Sequence, residues 1–227
     1  MSSQVTPLFI CHANCCRSVL ASYLYRQHCA GAPVLSAGLE PGEQTSDRAL
    51  AMLARWGIDA HGHQPTQVNR GLCDEANALF VMAPPYVRRL LLEYGADLAD
   101  KTYLFADPFT RPRSLGSRRH TVADPSFDER PIGELVSEYG WMRERVSQIR
   151  DALLGRGQRP IPAASYLELL ESVDPRVIEP APHVIVHSHE KGCKKPDPRV
   201  FEIGCRRLDV QVFGGAGHAQ PLVSSER

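Results

Sequence analysis

The stretch "CHANCCRS", residues 11–18, carries three of the chain's seven cysteines, followed by an arginine and a serine. A thiolate attacks electrophilic centres, and a guanidinium grips two oxygens of a phosphate-like anion in a planar fork. Set around one anion, Cys11 and Arg17 are the apparatus for passing a phosphoryl group to sulfur. The spacing by itself is weak: a composition like this one supplies roughly 0.7 Cys-x5-Arg pairs by chance. A second pair, Cys193 and Arg199, is interrupted by Pro196 and Pro198, which remove backbone donors. The first pair stands out through its context: an apolar run before it, Ser18 after it and a helical pattern beyond.

The flanking pattern predicts the elements that position these groups. Val5 to Ile10 is a short buried strand, and Arg17 to Cys29 a helix with Leu20, Tyr23 and Leu24 on one face. Val34 to Ser36 is a second strand, leading through Ala37-Gly38 and the turn residues Pro41-Gly42 to a helix capped by Ser46 and ending at Gly57. Leu79 to Met82 is a third strand, before a helix opened by Pro84-Pro85 with Val87, Leu90 and Leu91 inward. Thr102 to Phe105 is a fourth strand. A polar stretch, 106–131, precedes a helix with a stripe of Met142, Val146, Ile149 and Leu153. Strands alternating with helices imply an α/β fold: three layers, α/β/α, around a central four-stranded parallel sheet, with a C-terminal appendage. In such sheets ligands gather at the carboxyl ends of strands, beside helix N-termini. CHANCCRS lies there, where converging N–H groups and the helix dipole suit an oxyanion and favour a thiolate.

Composition narrows the classes. The chain has 227 residues and is 43% hydrophobic, enough for one sizeable domain with an appendage or two small domains. Formal net charge is zero, which removes the usual electrostatic argument for nucleic acid or an anionic membrane as partner. No apolar run approaches the roughly 18–20 residues that span a bilayer. "MSSQVTPLFI" lacks the basic start of a secretory signal, so a cytoplasmic protein with reduced thiols is expected. After Gly155-Arg156-Gly157, prolines at 160, 162, 175, 180 and 182 read as linker around one short helical piece, Tyr166 to Leu170. The domains expected are 1–157 and a non-catalytic tail, 158–227.

Residues 8–155 resemble the low-molecular-weight protein tyrosine phosphatase family, which includes thioredoxin-coupled arsenate reductases. The matching motifs are "LFICHANCCRS", "SAGL" at 36–39, Gly57-Ile58 and "VADPSFDE" at 122–129. The resemblance implies Cys11 as nucleophile and Arg17 as transition-state clamp, within a phosphate loop of His12, Ala13, Asn14, Cys15, Cys16, Arg17 and Ser18. It implies Ser18 donating to the thiolate, Asn14 bracing the loop, and His63 joining that hydrogen-bond network. The implied general acid is the aspartate of an Asp-Pro pair, of which there are two: Asp107-Pro108 and Asp124-Pro125. The family's acid loop directly precedes the last helix, which selects Asp124. Phe127 stands near the aromatic wall that family phosphotyrosine phosphatases carry after the Asp-Pro, although Ser126 intervenes. The family usually has glycine where Ala13 stands and proline where Val19 stands. Cys16 is at the spacing of a second thiol able to form a reversible disulfide with the nucleophile, or it is a small residue packed under the loop; Cys15 is filler.

The function implied is hydrolysis of phosphate monoesters, on a phosphotyrosine protein or a small phosphoester, through a phosphocysteine intermediate. No cofactor or metal is expected, and the protein is expected to be a monomer or weak dimer. A zinc site from Cys11, His12, Cys15 and Cys16 lacks the second, separated ligand pair such sites use. An arsenate reductase of the same fold needs a downstream thiol relay, for which Cys73 is the only nearby candidate. A catalytically silent anion-binding module is the third alternative. In the tail, 184–210 resembles part of a haloacid-dehalogenase-type hydrolase, with Ser188 and Lys195 at matching places. That family's Asp-x-Asp and Gly-Asp motifs are absent.

Overall fold

β1 (Pro7–Cys11) is apolar at every position and buried at all five, so both of its faces must be covered. The structure, a computed structural model, describes residues 5–115 and 118–176. β1 pairs in parallel with β2 (Leu35–Gly38) on one side and β3 (Ala78–Val81) on the other, and β4 (Thr102–Leu104) completes the sheet in the order β2-β1-β3-β4. The register aligns Cys11 with Gly38 and Phe9 with Phe80. Phe9 lies at the centre of the core, with ring centroids 5.7 Å from Phe80, 5.8 Å from Phe105 and 5.9 Å from Tyr25.

α1 (Arg17–His28) joins β1 to β2, and α4 (Pro84–Tyr94) leads from β3 toward β4. Parallel crossovers are right-handed, and these two run in opposite directions across the sheet, so the helices cover opposite faces. α1 also packs on α6 (Trp141–Leu153), whose Met142, Val146 and Ile149 are buried as the stripe predicts. The order of strands makes the gap between β1 and β3 the switch point of the sheet, the place where such folds hold ligands.

Local signals explain several boundaries. α2 (Asp47–Arg55) ends in a Schellman motif: Gly57 has φ +75°, its N–H reaches Ala54 O at 3.0 Å, and Ile58 N–H reaches Leu53 O at 2.9 Å. Ser46 stands at the N-cap position, but its side chain makes no capping bond. Two short helices were not legible as such. α3 (Arg70–Glu75) is started by Asn69, whose side chain accepts from Leu72 N–H at 2.9 Å. α5 (Ile132–Glu138) is separated from α6 at Tyr139-Gly140, where one continuous helix was expected.

The linker reading beyond residue 157 is corrected over residues 161–165, and the short helical piece expected at Tyr166 to Leu170 is present and packed on the domain. Ile161 N–H donates to Pro108 O at 2.7 Å, a 3-10 turn (Ala163–Tyr166) packs on β4, and α7 (Leu167–Leu170) lies on α4. Ala163, Tyr166 and Leu170 belong to the same buried core as the sheet. β4 is one of the two edge strands, and this segment packs on it. The resemblance at 184–210 lies outside the described residues.

Candidate active site

The turn between β1 and α1 is shaped by what its carbonyls bind. Leu39 N–H donates to Cys11 O, Glu40 N–H to His12 O, Gly42 N–H to Ala13 O and Ser46 N–H to Cys15 O, at 2.9–3.2 Å. Asn14 O accepts from His63 Nε2 at 3.1 Å, and Cys16 O accepts from Leu20 N–H at 2.8 Å. Within one peptide, C=O and N–H point in opposite directions. The carbonyls of residues 11–15 are engaged on the outside and that of Cys16 opens the α1 ladder, which turns the N–H groups of residues 12–17 inward, a cradle for an anion at a helix N-terminus. The segment 39–46 engages four of these carbonyls, a role that its turn residues Pro41-Gly42 and its cap position Ser46 do not show in the sequence.

Asn14 is the keystone. It is the one non-glycine described residue with positive φ, +53°, a conformation asparagine tolerates. Its N–H donates to Cys11 Sγ at 3.2 Å, its Nδ2 donates to Ser18 Oγ at 2.9 Å, and its Oδ1 accepts from Thr66 N–H at 2.9 Å. Ser18 Oγ is 3.0 Å from Cys11 Sγ, so with Asn14 donating to it the hydroxyl hydrogen is available for sulfur. His63 must carry its proton on Nε2 to donate to Asn14 O; burial is the main influence lowering its pKa from the ordinary value. Ala13 is outside the left-handed region, so a β-carbon there meets no strain of that kind.

Gly38 lies against this loop. A Cβ there would come within 2.7 Å of His12 O and 2.8 Å of Ala13 C and Asn14 N, all backbone. Gly38→Ala is expected to lower stability by about 2 kcal/mol and to reduce turnover, because the cradle must shift to admit the methyl group. Thermal unfolding together with kcat checks this; an unchanged kcat would show that the loop absorbs the shift elsewhere.

Arg17, at the first position of α1, is only 3% exposed. Its Nη1 donates to Val122 O at 3.2 Å, its Nη2 is 2.9 Å from Asp124 Oδ2, and its Nη2 also reaches Tyr86 Oη at 3.3 Å. Burial works against its charge, but Asp124, Tyr86 and Cys11 outweigh that and hold the guanidinium above its ordinary pKa. Asp124 also caps the 3-10 turn Pro125–Phe127 by accepting from Ser126 N–H at 3.0 Å. Asp107, the other aspartate of an Asp-Pro pair, instead lies within electrostatic range of Arg145 on α6. Phe127 projects into solvent, 62% exposed.

Two further cysteines lie in the loop. Cys16 is buried beneath the loop, which pushes its thiol well above the ordinary value. Cys15 is half-buried and donates to Ala13 O at 3.2 Å; burial raises its pKa too. Among the described residues, no three His, Cys, Asp or Glu side chains come together as metal ligands would. The His12 ring lies against Tyr86, with centroids 6.0 Å apart, and its Nε2 is 3.7 Å from Glu40 Oε2. Tyr86 is the site residue that sequence analysis missed, since "PPYV" reads only as the start of an amphipathic helix.

The segment bearing Asp124 is tied to the rest of the fold just before that residue. Val122 N–H donates to Met82 O at 2.8 Å, and Tyr139 Oη donates to Ala123 O at 3.0 Å. Beyond the turn, buried Asp128 holds Arg130 through paired bonds of 2.6–3.1 Å and accepts its backbone N–H at 3.0 Å. Those bonds to Arg130 hold the Asp128 pKa below the ordinary aspartate value. Its stabilising effect is therefore full above the unfolded-state pKa, near 4, and fades as pH falls through the lower folded-state value. Because Arg130 is half exposed, about 1 kcal/mol is expected from the pair. Asp128→Asn should lower the melting temperature at pH 6–7 and flatten its fall below about pH 4. A parallel acid limb in both proteins would refute that assignment.

A doubly wound parallel sheet with a cysteine, an arginine and an oxyanion cradle at its switch point defines a class of anion-handling α/β protein. The chain belongs to the low molecular weight phosphotyrosine protein phosphatase family, whose pattern residues 7–151 match. It is 33% identical over 87 residues to the probable low molecular weight protein-tyrosine-phosphatase EpsP of Ralstonia solanacearum, covering 37% of this chain and 60% of that protein. It is 32% identical over 78 residues to the low molecular weight protein-tyrosine-phosphatase Ptp of Acinetobacter johnsonii, 34% and 55% of the two chains. The aligned part thus spans little more than half the length of these relatives. The fold is that of the tyrosine phosphatase AmsI of Erwinia amylovora (TM-score 0.54, 20% identity, 65% of this chain and 91% of that one). It is equally that of the tyrosine phosphatase Wzb of Escherichia coli K30 in complex with sulphate (0.53, 21%, 65% and 97%).

Proposed function

We propose that this protein is a cysteine-dependent phosphatase that hydrolyses phosphate monoesters through a phosphocysteine intermediate. One observation carries the reading: Asp124, from a distant part of the chain, meets the loop that carries both Cys11 and Arg17. Cys11 Sγ receives the loop's Asn14 N–H, and Arg17 at the loop's end is 2.9 Å from Asp124.

An arriving phosphoryl group takes the fork of Arg17 in place of Asp124, and the inward N–H groups bind its remaining oxygens. Cys11 Sγ attacks phosphorus in line. The bond from phosphorus to the leaving oxygen breaks, and Asp124, as the carboxylic acid, gives that oxygen its proton. The Asp124 carboxylate then takes a proton from a water that attacks phosphorus, which frees Cys11 and releases inorganic phosphate. Asn14, Ser18 and His63 keep the loop in shape through both steps.

The substrate proposed is a phosphotyrosine protein, with a small aryl phosphate as the simpler form. Exposed Phe127, close after Asp124, offers an apolar face for an aromatic leaving group. A thiol nucleophile needs a reducing compartment, which supports the cytoplasm; no described helix is long and apolar enough to cross a membrane. The arsenate reductase reading is less favoured. Cys73, the thiol considered for its relay, is fully buried, and burial pushes its pKa up to about 11.

The test is hydrolysis of p-nitrophenyl phosphate and phenyl phosphate at pH 5–7, with reductant and EDTA. Wild type should turn over both. Asp124→Asn should lower kcat about 10²-fold on phenyl phosphate and clearly less on the nitrophenyl ester, whose leaving group needs little protonation. Equal losses on both esters would remove Asp124 as the acid, and no turnover of either would overturn the function.

A further inference from the structure

Tyr86 has no part in the chemistry just described, yet it touches the residue on which that chemistry depends. It opens α4 directly after β3, on the far side of the switch point from the β1 loop, and is 2% exposed. Its hydroxyl is 3.3 Å from Arg17 Nη2, and the guanidinium carbon lies 5.4 Å from its ring centroid. The other side of the site reaches it through His12, whose ring packs against it at 6.0 Å. Its backbone is held by the turn bond from Tyr86 N–H to Ala83 O at 3.1 Å, behind Pro84-Pro85.

The partners of Arg17 differ in permanence. Asp124 is an exchangeable partner: a substrate phosphoryl group displaces it, and it is neutral whenever it serves as the acid. Val122 O and Tyr86 keep their positions through the cycle, because one is backbone and the other is locked in the core. A buried guanidinium that loses its carboxylate needs fixed dipoles and a π face to stay aimed.

We propose that Tyr86 is a positioning residue for Arg17, holding the guanidinium toward the phosphoryl oxygens as Asp124 lets go. This rests on the phosphatase reading above. The hydroxyl steers one Nη, and the ring supports the plane. His12 relays the position of the nucleophile's own loop to the same tyrosine. Because the fork is needed most where charge is greatest, the effect falls on the transition state more than on substrate binding.

Tyr86→Phe keeps the ring and removes the hydroxyl. It should lower kcat about 10-fold, the usual worth of a hydrogen bond to a charged group. KM should stay within about 2-fold and the melting temperature within about 2 °C, since packing is kept. Orthovanadate, which mimics the five-coordinate transition state, should bind about 10-fold more weakly, in parallel with kcat. In an Arg17→Lys background, Tyr86→Phe should change vanadate affinity by less than about 2-fold, because the group it positions is gone. A kcat and vanadate affinity within about 2-fold of wild type would overturn the proposal. So would a loss that tracks the melting temperature and persists beside Arg17→Lys. If wild type hydrolyses no ester, the phosphatase reading fails separately, and the vanadate affinities of the four proteins still decide the role of Tyr86.

Discussion

Cys11→Ser is expected to reduce turnover by at least about 10⁴-fold while leaving the fold and oxyanion binding intact. A hydroxyl is a far weaker nucleophile than a thiolate, and among the described residues the hydrogen-bond partners of Cys11 Sγ, Ser18 Oγ and Asn14 N–H, include no base to activate it. A serine oxygen can still accept the Asn14 N–H and exchange a hydrogen bond with Ser18. The cradle itself is built from other groups: the carbonyls turned outward by 39–46, the left-handed Asn14 and the fork of Arg17. The melting temperature is therefore expected within about 2 °C of wild type, and inorganic phosphate should bind with similar affinity. Calorimetric phosphate binding with steady-state kinetics separates the possibilities. Retained binding with lost turnover assigns Cys11 to the covalent step; lost binding would mean that the sulfur shapes the cradle. Acid quench of wild type with ³²P-labelled substrate should trap label on the protein, and the serine variant should trap none by this route.

Ending the chain at residue 157, near the end of the family match, should destabilise the domain by at least about 5 kcal/mol. The segment removed carries Tyr166, 1% exposed, together with Ala163 and Leu170 in the shared core. It also carries the backbone link to Pro108, the ion pair from Glu168 to Arg111 and the Leu170 carbonyl that accepts from Arg88. The ion pair is exposed and adds little; the buried side chains dominate. Tyr166→Ala alone should cost about 3–5 kcal/mol, which is a large share of the 5–15 kcal/mol that typically separates native from unfolded chains. Tyr166→Phe, which preserves the ring, should stay within about 1 kcal/mol. Denaturant unfolding of these proteins checks the point: a truncated chain as stable as the full one would return 158–176 to the status of a linker.

The sequence by itself carried the alternation of apolar strands and helical stripes, and with it the parallel sheet and the position of CHANCCRS at a strand's carboxyl end. Those features are local: burial on both faces makes a strand apolar throughout, and a helix shows its buried face at intervals of three and four residues. Arg17 and the loop cysteines were legible because they lie within a few residues of one another. Residues meeting from afar were not readable from spacing; the family resemblance supplied Asn14 as a brace, His63 as its partner and the choice between Asp124 and Asp107. The tertiary structure decided how those groups join: Asp124 is paired with Arg17, and Asp107 lies within electrostatic range of Arg145 on α6. It also decided two things that neither pattern nor resemblance suggested. Tyr86 looked like any core position of a helix, because its contact with Arg17 exists only where β1 and β3 lie side by side. The docking of 161–170 is the second: 161–165 reads as linker, and the helical piece at Tyr166 to Leu170 shows nothing of what it packs on. Their burial depends on an exposed sheet edge that the sequence does not display at that point.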